Sequence, residues 1–151
     1  MRFPKAVSLL SLTLAACTSG ERTGESSQLS DARAQFETAN LDSYSFTWTQ
    51  SCFCDLARGR ATRISVSGDT ITRAIYVDDH TQSQNTDIRT IDGVFAWIDR
   101  AYDQHYDTID ITYDAELGYP IKIYFDPVKN ASDEETQVVL SNFTTPADPV
   151  E

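Results

Sequence analysis

The chain has 151 residues, with 23 Asp and Glu residues against 12 Lys and Arg residues and a formal net charge of −11. This length predicts one domain, which can bury a hydrophobic core without disulfide support. Because such an acidic surface repels phosphate groups, we expect no nucleic-acid partner.

The N-terminus has the layout of an export signal. Met1–Lys5 carries two positive charges, and the apolar run Ala6–Leu14 is far shorter than the ~20 residues that span a bilayer. The sequence Leu14-Ala15-Ala16-Cys17 then resembles the lipobox of bacterial lipoproteins, in which the cysteine becomes the first mature residue and its sulfur carries the lipid. The alternative is an ordinary signal peptide whose cleavage site precedes a cysteine by chance.

The lipobox resemblance implies an exported lipoprotein that contacts the membrane through its N-terminal lipid. Thr18 follows the cysteine and favours the periplasmic side of the outer membrane in a Gram-negative cell; otherwise the outer face of the cell membrane is expected. Loss of the signal peptide, residues 1–16, removes Arg2 and Lys5 and leaves ten basic residues against 23 acidic ones. The polar residues 17–28 predict a flexible tether.

The first two elements of the domain are a helix and a strand. Residues Leu29–Leu41 repeat apolar side chains at helical spacing. In Ser43–Ser51 the aromatic residues Tyr44, Phe46 and Trp48 alternate with Ser and Thr, which predicts a strand with one buried face. We expect Cys52 and Cys54 to point inward with the aromatic residues, since they lie on the same parity.

The remaining helices and strands are predicted from the same two patterns, helical spacing of apolar residues and alternation along a strand. In one predicted strand Ile71, Ile75 and Val77 mark one face, although Arg73 shares their parity. The polar stretch Asp78–Arg89 is expected to be a mobile loop, and residues 144–151 a disordered tail. The further predicted elements are a hairpin of Ala61–Val66 and Thr70–Val77, a helix over Ile91–Gln104 capped by Thr90, and strands over Asp107–Tyr113, Pro120–Phe125 and Gln137–Phe143.

These elements predict an α+β fold for a single domain over residues 29–143. We expect an antiparallel sheet of about six strands, because hairpins dominate the order of the elements. Two helices are expected to pack on one face of this sheet, in the chain order α-β-β-β-α-β-β-β.

Several short motifs occur in a recognisable order. They are Tyr44-x-Phe46-x-Trp48, Ser51-Cys52-Phe53-Cys54, Thr90-Ile91-Asp92-Gly93-Val94-Phe95 and Thr112-Tyr113-Asp114-x-x-x-Gly118-Tyr119-Pro120. Together they resemble a family of small bacterial lipoproteins catalogued as domain of unknown function 6174, over roughly residues 29–143. One departure is Asp55, where the family pattern has proline. The resemblance implies an exported, anchored domain and brings no catalytic residues.

Cys52 and Cys54 are the pair with the most chemical interest, because they remain once Cys17 is lipidated. In an extended strand their Cα atoms would lie ~6.6 Å apart, so a disulfide requires a local bend. A disulfide, two buried thiols, and a redox or soft-metal site all remain open. His80 and His105 could add metal ligands, but solvated loop histidines are the simpler interpretation, so we expect no metal or other cofactor.

No catalytic motif of a known hydrolase, metalloprotease or phosphate-binding loop is present, so no catalytic residue is assigned and an enzyme is unsupported. We therefore expect a lipid-anchored, non-enzymatic module of the cell envelope that binds a protein partner. The expected contact is a sheet face or the loop with Asp78, Asp79 and His80. The alternative is a thiol-redox or soft-metal-handling protein that uses the Cys52 and Cys54 pair.

Overall fold

The described residues of the chain form six strands and three helices. A computed structural model describes residues 22–131 and 133–146; the predicted signal peptide, Cys17 and residues 147–151 lie outside this part of the chain. In the described residues no helix has both the length and the apolar character needed to cross a membrane. The helices are α1 (Arg22–Thr38), α2 (Leu56–Gly59) and α3 (Ile91–Asp103), and the strands are β1 (Ser43–Cys52), β2 (Thr62–Ser67), β3 (Thr70–Tyr76), β4 (Thr108–Tyr113), β5 (Pro120–Asp126) and β6 (Thr136–Thr144).

The six strands form one antiparallel sheet in the order β3-β2-β1-β6-β5-β4. Each half of the sheet is a run of three neighbouring strands, and the two halves meet where β1 pairs with β6. The first and the last strand of the described residues therefore occupy the centre of the sheet.

One face of the sheet forms the hydrophobic core. Tyr44, Phe46 and Trp48 are buried in it, which confirms the predicted row of inward aromatic residues on β1. Burial of each large apolar side chain contributes about 1.5–3 kcal/mol to the free energy of unfolding. The core also takes Leu29, Ala32 and Phe36 from α1, Val94, Phe95 and Ile98 from α3, and Ile64, Ile123, Phe125 and Val138 from the other strands.

The predicted α+β arrangement, in the order α-β-β-β-α-β-β-β with two helices packed on one face, is wrong. The described residues form a mostly β fold with three short helices, in the order α-β-α-β-β-α-β-β-β. The additional helix α2 begins because the Asp55 carboxylate accepts a hydrogen bond of 3.1 Å from the Arg58 backbone N–H. Since α2 has four residues and none is buried, it leaves no apolar period in the sequence.

Two boundaries and one register also differ from the prediction. The helix α1 begins at Arg22, inside the segment predicted as a tether, and ends at Thr38. In β3 the register shifts between β2 residues Ser65 and Val66, so that Ala74 and Tyr76 are the buried side chains. Ile71, which pairs with Val66, packs against the core, whereas Ile75 lies on the opposite face and Val77 is exposed. The prediction that the three residues share one face is therefore wrong.

A glycine in the turn between β4 and β5 fixes the position of α1. Gly118 has φ +76°, and a Cβ atom there would lie 2.9 Å from the Gln35 Cβ atom and closer still to the Ala32 carbonyl oxygen. The Gln35 side chain donates hydrogen bonds of 3.0 and 2.8 Å to the carbonyl oxygens of Ala115 and Glu116. The turn thus contacts the α1 backbone directly because it carries no side chain at residue 118.

Candidate functional site

The sheet has two ends that differ in their loops. At one end β1, β3 and β5 finish and β2, β4 and β6 begin, because all neighbouring strands are antiparallel. This end carries Cys52 and Cys54 directly after β1, and we call it the disulfide end. The other end carries the turns that precede β1, join β2 to β3, and join β4 to β5, and we call it the turn end.

Cys52 and Cys54 form a bonded pair with their Cα atoms 5.2 Å apart. The strand ends at Cys52 and the chain bends over the next two residues, which shortens the distance expected for an extended strand. Both cysteines are half-buried, and Cys52, which pairs with Thr136, keeps the inward parity of Trp48. Of the three alternatives that the sequence leaves open, the disulfide is the one that this geometry supports.

Large apolar side chains are exposed at the disulfide end. Phe53, between the two cysteines, is 81% exposed, and Leu56, the first residue of α2, is 90% exposed. Val77 after β3 and Val128 after β5 are 45% and 51% exposed, and both lie at the same end of the sheet. Scattered single exposures of this kind are ordinary, but here all of the large exposed apolar side chains in the described residues share one end.

A buried amide connects the core to the disulfide. The Gln50 side chain is 6% exposed, and its Oε1 atom accepts a hydrogen bond of 3.2 Å from the Trp48 indole. Its Nε2 atom donates to the Cys52 Sγ atom at 3.4 Å and to the Asp87 carboxylate at 3.3 Å. Gln50 thus satisfies the one polar atom of the buried Trp48 side chain and orients the base of the disulfide turn.

The Arg58 side chain links this network to α2. Its Nε atom lies 3.5 Å from the carboxylates of both Asp55 and Asp87. The neighbouring Asn85 is 4% exposed and donates from its Nδ2 atom to the Arg58 carbonyl oxygen at 3.3 Å. Two carboxylates and one guanidinium therefore surround the disulfide turn, and the excess negative charge opposes formation of a cysteine thiolate nearby.

The loop expected to be mobile is tied to the sheet. Gln82 forms a bridge with Ile75 of β3, and the Gln84 backbone N–H donates to the Tyr76 hydroxyl at 2.9 Å. Asp78 and Asp79 both bind Arg60, with Arg60–carboxylate distances of 2.5 and 2.8 Å, and the Arg60 guanidinium lies 3.6 Å from the centre of the Tyr76 ring. These carboxylates are engaged within the molecule.

The electrostatics of this loop follow from those contacts. Hydrogen bonds from the Thr81 backbone and hydroxyl, followed by Arg60, lower the pKa of Asp79 to about 2. The side-chain hydrogen bond from Arg60 lowers the pKa of Asp78. His80 follows in a left-handed backbone conformation with φ 60° and is exposed. Asp78, Asp79 and His80 lie at the start of the loop, with two of the three side chains already bound.

The residues considered as weak metal ligands, Cys52, Cys54, His80 and His105, do not form a metal site. His105 lies after α3, where its Nδ1 atom is 3.0 Å from the Tyr102 carbonyl oxygen, and His80 lies after β3. In residues 22–131 and 133–146 no group of three or more His, Cys, Asp or Glu side chains could hold a metal ion.

Some residues of this site could not be predicted from the sequence. Gln50 and Asn85 are buried polar side chains whose partners lie far along the chain, and no local pattern reports such pairing. Phe53 and Leu56 had a weak signal, since two large apolar residues stand in a loop of otherwise polar residues after β1.

Comparison with known proteins gives one match. No curated protein and no solved structure matches this chain. The model of a family of unknown function (DUF6174) matches residues 28–145, which cover all six strands. The chain therefore belongs to the DUF6174 family.

Proposed function

We propose that this chain is a lipid-anchored, non-enzymatic module of the cell envelope that binds a protein partner through its disulfide end. The observation that carries the proposal is the exposure of Phe53 and Leu56, at 81% and 90%, on a turn closed by a disulfide. A few side chains that enter pockets on a partner, aromatic anchors prominent among them, supply most of the binding energy in protein interfaces.

The turn that carries these side chains is restrained before binding. The disulfide closes a ring across Phe53, Asp55 caps α2, and Gln50 holds the base of the turn. A partner then orders fewer side chains and less backbone on binding, which lowers the entropic cost of association. Restraint of this kind distinguishes a binding surface from apolar residues on a loosely held loop.

The charge of the disulfide end indicates the kind of partner. Asp126, Asp133, Glu134 and Glu135 lie in or beside the loop between β5 and β6, and none forms an ion pair within the described residues. A basic protein surface with an apolar pocket complements this combination. An anionic bilayer is a poorer match, since these carboxylates would approach its head groups.

The anchor is supported by the residues that precede the described domain. Leu14-Ala15-Ala16-Cys17 resembles a lipobox, and Cys17 lies five residues before the start of α1 at Arg22. In cells that produce the protein, Cys17→Ser is expected to move it from the membrane fraction to the soluble fraction. A Cys17→Ser protein that stays with the membrane contradicts the anchor.

Site-specific photo-crosslinking tests the binding surface. A photoreactive phenylalanine analogue is placed at Phe53 or Leu56 in the membrane-bound protein, and at the exposed Thr70 of the turn end as the matched control. We expect a discrete protein adduct from the first two positions and none from the third. Adducts of equal yield at all three positions, adducts to lipid alone, or no adduct at Phe53 and Leu56 contradict the proposal.

The alternative, thiol-redox exchange, has one observation in its favour. The disulfide is half-exposed, and the Cys52 Sγ atom accepts a hydrogen bond from the Gln50 amide. A dithiol partner would supply the two electrons and two protons that convert the bond to two thiols. Reduction of the native protein by a dithiol at micromolar concentration favours this function, and resistance to millimolar dithiol favours a structural bond.

A further inference from the structure

The sheet face opposite the core has a different chemistry from the rest of the protein. Residues paired directly across antiparallel strands point to the same face, so Arg73, Arg63, Thr47, Thr49, Lys122 and Tyr124 lie together on the side away from Phe46 and Trp48. We define the outer face by these six residues. None of them belongs to the buried hydrophobic core.

The outer face concentrates cations on an acidic protein. It carries Arg63, Arg73 and Lys122, and the carboxylates that share this side of the sheet are Asp110 on the edge strand β4 and Asp126 at the end of β5. The five ion pairs formed among the described residues involve Arg33, Arg58 and Arg60, and none of them lies on this face. With acidic residues almost twice as frequent as basic ones, unpaired cations on one face point to an anionic ligand from outside the chain.

The three cations are spread across the sheet. Arg63 is held over β1, since its Nη1 atom donates to the Asn142 carbonyl oxygen at 2.6 Å and its Nη2 atom donates to the Thr144 hydroxyl at 2.8 Å. Arg73 and Lys122 are exposed, and they lie on strands β3 and β5, which are four strand spacings or ~19 Å apart. A single phosphate or carboxylate cannot reach all three charges, whereas an extended polymer can.

The space between the cations is mostly polar, although Val139, which pairs with Lys122, and Ile75, which pairs with Arg63, lie on the same side of the sheet. Thr47 and Thr49 lie between Arg63 and Lys122 in the sheet order, and Ser45 and Ser65 bond to one another at 3.1 Å beside them. The large exposed apolar side chains in the described residues are all at the disulfide end, so this face lacks the apolar anchors that protein interfaces use. Hydroxyl groups together with separated cations match the hydroxyls and regularly repeated carboxylates of a sugar polymer.

We propose that the outer face binds an acidic polysaccharide that carries carboxylate groups and lies across the strands from β3 to β5. Arg73, Arg63 and Lys122 pair with successive carboxylates, and the Thr and Ser hydroxyls bond to sugar hydroxyls. The half-exposed ring of Tyr124 offers an apolar surface to one sugar. This surface is separate from the disulfide end, so Phe53→Ser with Leu56→Ser leaves polysaccharide binding unchanged.

Affinity measurements with oligogalacturonate test this assignment, with neutral dextran of equal length as the control probe. The full chain is purified in a neutral detergent, and its dissociation constant is measured at low and at physiological salt. We expect oligogalacturonate to bind, dextran not to bind, and affinity to fall as salt rises. Arg73→Gln and Lys122→Gln each weaken binding about threefold, and the double variant about tenfold.

Lys129→Gln is the matched control, because Lys129 is an exposed cation that lies in the loop after β5 and not on the outer face. It changes the affinity less than twofold, while Arg63→Lys retains binding because it keeps the charge. The assignment is overturned if Lys129→Gln weakens binding as much as Lys122→Gln, if dextran binds equally well, or if oligogalacturonate does not bind. Tighter binding to vesicles with 30% phosphatidylglycerol, lost in the same variants, replaces the polysaccharide with a lipid surface.

Discussion

The two ends of the sheet differ in the types of residue that they carry and in which of those residues are exposed. The turn end holds Gly68 and Gly118 with positive φ angles and is rich in carboxylates, with no large exposed apolar side chain in the part of the chain that the structure describes. The disulfide end exposes Phe53 and Leu56 on a turn that is held by hydrogen bonds and ion pairs and buries no residue of α2. The difference teaches that the turn end holds the architecture together, whereas the disulfide end is free to change its surface.

Electrostatics at the turn end support this division. The Tyr44 hydroxyl accepts a hydrogen bond of 3.0 Å from the Ile91 backbone N–H, which fixes the start of α3 to the start of β1, and burial raises the Tyr44 pKa to about 12. Burial, together with the charges of Asp69 and Glu37, raises the pKa of Asp92. These groups line a cavity of about 260 Å³. The acidic side chains at the turn end thus surround the place where the start of α3 is bonded to the start of β1.

The largest expected effect comes from breaking the turn end. Gly118→Ala places a methyl group against the Ala32 carbonyl oxygen and Gln35 and forces a non-glycine residue into φ +76°. We expect it to lower the free energy of unfolding by about 2–4 kcal/mol, because the clash involves backbone atoms that cannot rotate away. Chemical denaturation monitored by tryptophan fluorescence measures the change.

Gly68→Ala is the matched control for this substitution. Gly68 also has a positive φ angle, +54°, but a Cβ atom there meets no atom within 4 Å. Only the backbone cost of about 1 kcal/mol remains. Equal losses in the two variants would show that α1 does not pack on the turn as described.

A smaller effect is expected from opening the disulfide end. The bond between Cys52 and Cys54 closes a ring of three residues, so its effect on the unfolded chain is about 1.6 kcal/mol by loop-closure entropy. The double variant Cys52→Ser and Cys54→Ser is expected to lose about 1–2 kcal/mol and to remain folded, since β1 is held by both neighbours. Denaturation of the variant and of the reduced wild-type protein should give the same midpoint; a loss above about 4 kcal/mol would make this end architectural as well.

The smallest effect concerns the pKa of a single carboxylate beside the disulfide end. Because Thr81 and Arg60 stabilise the ionised form, Asp79 should titrate at about 2, and the stability it contributes is present above its unfolded pKa and lost as the pH falls towards 2. Thr81→Ala and Arg60→Gln should each move the pKa part of the way back to its ordinary value. Carboxyl-carbon NMR across pH 1.5–6 follows this titration, and a midpoint near 4 in the wild-type protein would contradict the contacts.

Elements whose side chains repeat with a clear helical or strand period can be predicted from the sequence, and the other elements cannot, for physical reasons. The alternation of Tyr44, Phe46 and Trp48 predicts β1, and Thr90 predicts the start of α3, where its hydroxyl accepts a hydrogen bond of 3.1 Å from the Gly93 N–H. Helix α2 depends on one local cap and buries nothing, so no pattern marks it. The shared face of β3 was misassigned because a register shift breaks the alternation.

The candidate site was predictable only in part. The cysteine pair is evident from spacing, and its bend follows from the reach of two residues. The contacts that orient it join Gln50 to Asp87 and Asn85 to Arg58, which lie 37 and 27 residues apart. Hydrogen bonds across such separations depend on the completed fold, which a local pattern does not encode.

The pairing of β1 with β6 has a consequence for the order of events in the cell. Thr47 pairs with Ser141, so the middle of the sheet forms only when the chain is nearly complete. Until β6 joins, β1 has one edge without a partner strand, and the core lacks the β6 side chains. The sheet of the described residues therefore cannot close before β6 has been synthesised, however early its first strand is made.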